Sequence, residues 1–254
     1  MLKLKEIKKI IEEYIPDCLQ ESWDNSGMII GDENAEIEKV LVTLDVTDGV
    51  IDEAIKTGSN LIISHHPVIF DDLKILDYGT PIGNRIRKLI TNNINVLSYH
   101  TNFDKVKDGT TDSVCSLLEL KHIKNLTDEE YSFGKIGEID PMPLNECVAM
   151  IKAKLGLKCV KYCGNESGII RKIAVVSGSG SEFYYDAFKR EADLFITAEV
   201  KHHIAIDCMD LNMAIVDAGH FETENLAMKN IYKILEDKIE VSLTMEYTEL
   251  FKYM

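Results

Sequence analysis

The sequence is short of positive charge. Its 28 Lys and Arg residues stand against 43 Asp and Glu, a net charge of −15. Affinity for a nucleic-acid backbone grows with the number of phosphates that basic side chains neutralise, so this balance argues against a general nucleic-acid binder. No apolar run approaches the roughly 18–20 residues of a membrane span. The opening segment Met1–Ile10 mixes Lys with Leu and Ile at helical spacing and lacks the apolar core of a signal peptide, and the expected location is cytoplasmic. Cysteine is present but unorganised. Of Cys18, Cys115, Cys147, Cys159, Cys163 and Cys208, only Cys159 and Cys163 are close, at C-x3-C, with no second pair to complete a zinc ribbon. They are expected to be reduced thiols, many of them core packing residues. Low-complexity tracts and short-period repeats are missing too.

What is present is an ordinary globular composition, 45% hydrophobic and 28% charged, in 254 residues. That length allows one large α/β domain or two smaller ones. Leu2–Ile15 carries a helical apolar stripe ended by Pro16. Apolar strand-like runs then alternate with helical segments, which implies an α/β fold with parallel or mixed sheets covered on their faces. Both halves share an α–β–α–β rhythm, consistent with a duplicated architecture. The stretch 121–140 is polar and weakly periodic, and reads as a domain boundary.

Three runs end in histidine. Leu61–Ser64 runs into His65 and His66 before Pro67; Ile94–Tyr99 runs into His100, with Asp104 four residues on; Ala214–Asp217 leads to Gly219 and His220, with Glu224 four residues on. In open α/β sheets, ligands bind outside the carboxyl ends of the strands, so the three runs point at one kind of site. The i, i+4 spacing of each His–carboxylate pair suits one side of a helical turn. A lone histidine at a strand end is ordinarily a hydrogen-bonding residue. Three of them, two with a carboxylate one turn on, indicate a metal site, with Glu224 or Asp104 able to bridge two ions. Imidazole and carboxylate donors without cysteine suit zinc, iron, manganese, cobalt or nickel.

Other residues are read more plainly. Asp24, Asn25 and Asp45 look like turn or cap residues rather than ligands, and Trp23 like packing, the alternative being stacking of a substrate. Glu199, Glu222 and Asp217 are the acids that can serve as base or orient a histidine. His202 and His203 sit on a helix, and His122 reads as surface. The segment Val176–Ser181 follows a strand and opens a helix. It is read as an ordinary connection; the alternative is a triphosphate cradle, with Lys74, Arg85 and Lys201 as candidate counter-charges. It is neither a Walker loop nor a full dinucleotide fingerprint.

Trp23-Asp24-Asn25-Ser26-Gly27, Ser64-His65-His66-Pro67, His100-Thr101-Asn102-Phe103-Asp104, Ile196-Thr197-Ala198-Glu199 and Gly219-His220-Phe221-Glu222-Thr223-Glu224, in this order, resemble the family of GTP cyclohydrolase I type 2 homologues, also called the NGG-interacting-factor family. Ala198 departs from the glycine usual after that threonine. The resemblance implies two divalent metal ions per chain, held by His65, His66, Asp104, His220 and Glu224. Glu224 would be shared and catalytically important, and His100 a neighbour able to join the set. It also implies two interlocked α/β domains, 1–125 with about 218–254 and 126–217, in a ring-shaped homohexamer. The implied activity is opening and hydrolysis of the guanine imidazole ring of GTP by a metal-activated water. The alternative is a non-catalytic metal-binding ring that binds protein or nucleic acid, or carries metal.

Overall fold

A computed structural model of the chain describes residues 1–246 and 250–251. It divides into two compact units. One is built from Met1–Phe103 and Met228–Glu249, the other from Asp104–Ala227 and Leu250–Met254. The fold is mixed α/β, with parallel and antiparallel strands in both main sheets.

The first unit has a five-stranded sheet in the order Glu240–Leu243, Lys39–Thr43, Leu61–Ser64, Asn95–Ser98, Gly27–Ile30. The first four strands are parallel and the last is antiparallel to its neighbour. Leu61–Ser64 and Asn95–Ser98 are buried at every residue. That is why they read as continuous apolar runs, as strands covered on both faces do. The helices between them begin and end where local chemistry dictates. Thr47 Oγ1 accepts from Val50 N at 3.2 Å ahead of the helix Asp48–Thr57. Gly58 (φ 73°) ends that helix in the left-handed conformation. Thr80 caps and Pro81 opens the helix Pro81–Thr91. At the N-terminus the helix is shorter than the stripe suggests, Leu4–Glu12, because Leu2–Lys3 pairs as a strand with Glu36–Ile37. Leu4, Ile7 and Ile11 are fully buried, each stabilising the fold by roughly 1.5–3 kcal/mol.

The second unit holds a six-stranded sheet in the order Lys121–Asn125, Lys135–Pro143, Ile169–Val175, Leu194–Thr197, Ala214–Asp217, Lys161–Cys163. Its three parallel strands are Ile169–Val175, Leu194–Thr197 and Ala214–Asp217. The segment 121–140, expected as a boundary, instead supplies two antiparallel strands. It escaped detection because Lys121–Asn125 is a largely exposed edge strand and Lys135–Pro143 has no regular alternation of buried residues. Residues 104–125 and 218–227, grouped with the first domain on sequence, pack with this unit. Val114, Cys115, Leu118 and Leu120 join Leu144, Ile173 and Val216 in one core, with Leu226 against it. The expectation for residues 247–249 and 252–254 lies outside the described residues.

All six cysteines are free, and Cys115, Cys147 and Cys208 are buried. Burial pushes the Cys115 and Cys208 thiols up to about 12 and that of Cys147 up to about 11. These groups are packing residues, not reactive thiolates. Among the described residues, no helix is long and apolar enough to cross a membrane.

Candidate metal centre

In the first unit the site lies beyond the carboxyl ends of the parallel strands. The strand Leu61–Ser64 ends in His65 and His66, and the strand Asn95–Ser98 is followed by Tyr99 and His100. The ligand atoms of His65, His66 and His100 all lie within 4.8 Å of one another. The ring centroids are 4.8 Å apart for His65–His66, 5.0 Å for His65–His100 and 5.5 Å for His66–His100.

Each imidazole is held by its Nδ1. His65 is fully buried, and its Nδ1 lies 2.8 Å from the Tyr99 carbonyl oxygen. A carbonyl can only accept, so Nδ1 carries the proton and the lone pair of the neutral ring is on Nε2. His66 Nδ1 donates to Asp45 Oδ1 at 2.8 Å, and His100 Nδ1 to Asp24 Oδ1 at 2.8 Å. The Asp24 carboxylate also accepts from Thr101 N, Thr101 Oγ1 and Ser26 Oγ. Burial alone would raise its pKa. Hydrogen bonds from His100 and Thr101 outweigh that and hold the carboxyl well below the usual carboxylate range. Carboxylate or carbonyl oxygen on Nδ1, with Nε2 turned to a cation, is how proteins orient metal-binding histidines.

The second unit repeats the device once. The strand Ala214–Asp217 leads through Gly219 (φ 83°) into the short helix His220–Glu224. His220 Nδ1 donates to Glu199 Oε1 at 2.8 Å, and its Nε2 lies 3.0 Å from Glu224 Oε2. The i, i+4 spacing thus does bring that pair together. Glu224 is 4% exposed; a carboxylate so buried is stable only with cationic or hydrogen-bonding company. Asp104 accepts from Thr110 Oγ1 at 2.6 Å. Glu199 adopts a positive φ of 53° just past the strand Leu194–Thr197.

The Ser177–Ser181 turn has a different role from a phosphate cradle. The amides of Ser177, Gly178 and Gly180 donate to Thr111 Oγ1, Thr223 Oγ1 and Thr197 Oγ1, so they are not presented to an anion. Gly178 has φ +60°, and a Cβ there would collide with Glu224 Oε1 and stand 3.3 Å from His220 Nε2. The glycine makes room for the carboxylate. Of the candidate counter-charges, Arg85 pairs with Asp48 and Lys201 with Glu182.

The donor set fits a divalent transition metal in each unit's contribution: Nε2 nitrogens from four imidazoles oriented through Nδ1, with carboxylate oxygens beside them. Sequence reasoning placed His65, His66 and His100 correctly at strand ends. It took Asp24 and Asp45 for turn residues, and both hold a histidine. The signal that could have found Asp45 is its place just past the strand Lys39–Thr43, beside the strand bearing His66. Glu199 was among the acids considered for orienting a histidine, and it is the one that holds His220. His202 and His203 are exposed in the first turn of the helix His202–Asp210, and His122 is exposed on the edge strand. Trp23, expected to pack, is 60% exposed.

The profile of the family described as Duf34/NIF3 (NGG1p interacting factor 3) matches residues 2–251. A Clostridium acetobutylicum protein named GTP cyclohydrolase 1 type 2 homolog is 39% identical over 229 residues, covering 88% of this chain and 85% of that one. A protein of the same name from Clostridium perfringens is 36% identical and is covered in full, as is this chain. The crystal structure of Staphylococcus aureus protein SA1388 superposes with a TM-score of 0.91 at 30% identity, covering 100% of this chain and 99% of that one. With its histidines and acids placed as described, the chain belongs to the Duf34/NIF3 family.

Proposed function

We propose that this chain is a divalent-metal-dependent hydrolase acting on a nucleotide-like small molecule, with His65, His66, Asp104, His220 and Glu224 as metal ligands and His100 able to join them. The observation that carries this reading is the shared posture of four histidines, each anchored through Nδ1 to an oxygen. Two divalent ions in such a site supply a water ionised near neutral pH and an electrophilic pull on the substrate. The chain's own part is to hold donors in place. Asp24, Asp45 and Glu199 fix the orientation of three imidazoles. Glu224, buried and kept clear by Gly178, is the carboxylate we assign as the shared ligand.

Supporting GTP as the first substrate to test are the relatives named GTP cyclohydrolase 1 type 2 homolog. The reaction would take two waters to open the guanine imidazole ring and release C8 as formate, and re-closure on the rearranged ribose would return one water and leave a dihydroneopterin triphosphate. We further propose a cytoplasmic homohexamer without nucleic-acid partners, on the strength of the sequence resemblance and the acidic balance.

The test is metal content per chain of the purified protein beside Glu224→Ala, followed by formate release from GTP. About two ions per chain, lost in the variant while the circular dichroism spectrum is retained, is the expected result. No metal in either protein after reconstitution with zinc, iron or manganese would overturn the ligand set. Metal without turnover of any nucleotide would leave a metal carrier or binding ring.

A further inference from the structure

We propose that Trp23 and Phe70 form a stacking platform beside the His65–His66–His100 cluster, which takes the planar heteroaromatic ring of the small-molecule substrate. This rests on the hydrolase reading above and names how its substrate is held. Both side chains are large, apolar and open to solvent, with Trp23 60% and Phe70 48% exposed. Exposed aromatic surface of this kind is expensive to keep without a use. It is not scattered. The Trp23 and Phe70 rings lie 6.1 Å apart at 45°, and they stand nearly edge-on to His100 at 6.3 Å and 5.8 Å. The two rings thus form one contiguous, partly exposed aromatic patch against one of the clustered imidazoles.

The platform is also built, not merely exposed. Asp24, next to Trp23, has a fully buried side chain that bonds His100, Thr101 and Ser26. Asn25 Nδ2 donates to the Ile69 carbonyl at 2.7 Å, tying the loop of Trp23 to the loop of Phe70. The backbone beside each ring is thus fixed, and the same carboxylate that orients His100 positions Trp23. Rigid aromatic faces bind flat rings with little loss of side-chain freedom, and they do so tolerantly, since every nucleobase has a π-face. A ring seated here lies within one ring's width of the histidine cluster.

Trp23 is the chain's single tryptophan, so its fluorescence reads the platform directly. The protein as purified is titrated with guanosine, adenosine, a pterin and sodium tripolyphosphate. At least one of the ring compounds is expected to quench the emission, and tripolyphosphate is not. In equilibrium dialysis, Trp23→Leu and Phe70→Leu each weaken binding of the quenching compound roughly 5- to 150-fold, the range that base–aromatic stacking spans. Metal content and oligomer size stay unchanged. Absence of quenching by every ring compound in metal-loaded protein would overturn the platform while leaving the metal site standing. Equal quenching by tripolyphosphate, or a Trp23→Leu variant that changes oligomer size and binds the ring normally, would overturn it as well. Ring-dependent quenching in a protein that takes up no metal keeps the platform and refutes the hydrolase reading instead.

Discussion

The two units use one frame and fill it differently. In the first, the adjacent parallel strands Lys39–Thr43, Leu61–Ser64 and Asn95–Ser98 are flanked by the antiparallel Gly27–Ile30; in the second, Ile169–Val175, Leu194–Thr197 and Ala214–Asp217 are flanked by the antiparallel Lys161–Cys163. In both, the flanking strand precedes the three in sequence and pairs with the last of them. The middle strand of the first triplet ends in His65 and His66; its counterpart ends in Ala198 and Glu199. The last strand of each leads to a histidine followed four residues later by an acid. The frame therefore decides where a ligand appears, and local residues decide whether it is a donor or the group that orients one. The first unit presents three imidazoles, two backed by carboxylates and one by a backbone carbonyl; the second presents one carboxylate-backed imidazole and a buried carboxylate beside it.

The sharpest test of that asymmetry compares two left-handed glycines. Gly178→Ala places a methyl group against Glu224, whereas Gly58→Ala, also at positive φ, meets nothing within 4 Å. We expect Gly178→Ala to destabilise by about 2–5 kcal/mol, from backbone strain plus overpacking, and to lose metal. Gly58→Ala should destabilise by about 1–2 kcal/mol, from the backbone strain alone, and keep metal. Urea midpoints with metal analysis check both, and equal effects would show that Gly178 is only a turn residue.

A smaller effect is expected from the orienting acids. Asp45→Asn and Glu199→Gln should each weaken metal binding roughly 10- to 100-fold with little change in fold, read by competition with a chelator. If Asp45→Asn has the effect and Glu199→Gln has none, the histidine of the second unit is not a ligand. His65 offers an internal control, since its Nδ1 partner is a backbone carbonyl that substitution at Tyr99 leaves in place.

A separate effect concerns alkaline pH. The buried thiols Cys115, Cys147 and Cys208 all belong to the second unit, and they keep their protons to about 11–12. An unfolded chain gives up thiol protons near 8.5. Above that pH the unfolded state binds fewer protons than the native one, so stability falls as pH rises from about 8.5 towards 11. Hydrogen exchange at pH 8 and pH 10 should show the second unit losing more protection than the first; a uniform loss would assign the effect elsewhere.

Most of this arrangement was legible where burial is two-sided. Leu61–Ser64 and Ala214–Asp217 announce themselves as apolar runs, and Pro81–Thr91 by the proline that opens it. What stayed hidden depends on partners distant in sequence. Asp24 meets His100, and Asp45 meets His66, through strand adjacency that no local pattern encodes. Lys121–Asn125 is paired on one side and exposed, so it carries no hydrophobic signal. Gly178 looks like any glycine in a turn until Glu224 is placed beside it. Trp23 reads as packing more readily than as a stacking surface in the sequence, and only the structure shows its face open.

The strand Glu240–Leu243 pairs in parallel with Lys39–Thr43 at the edge of the first sheet, about two hundred residues back along the chain. During synthesis that edge stays unpaired until residues 240–243 have emerged. The second unit, almost continuous in sequence, has all its strands well before then. A long interval with an open parallel edge invites pairing with the wrong chain. The order of events on the ribosome is therefore written into the topology: the inserted unit closes first, and the half that carries the clustered histidines is sealed last. A chain truncated before residue 240 should expose that edge and aggregate, even though every histidine of the cluster would still be in it.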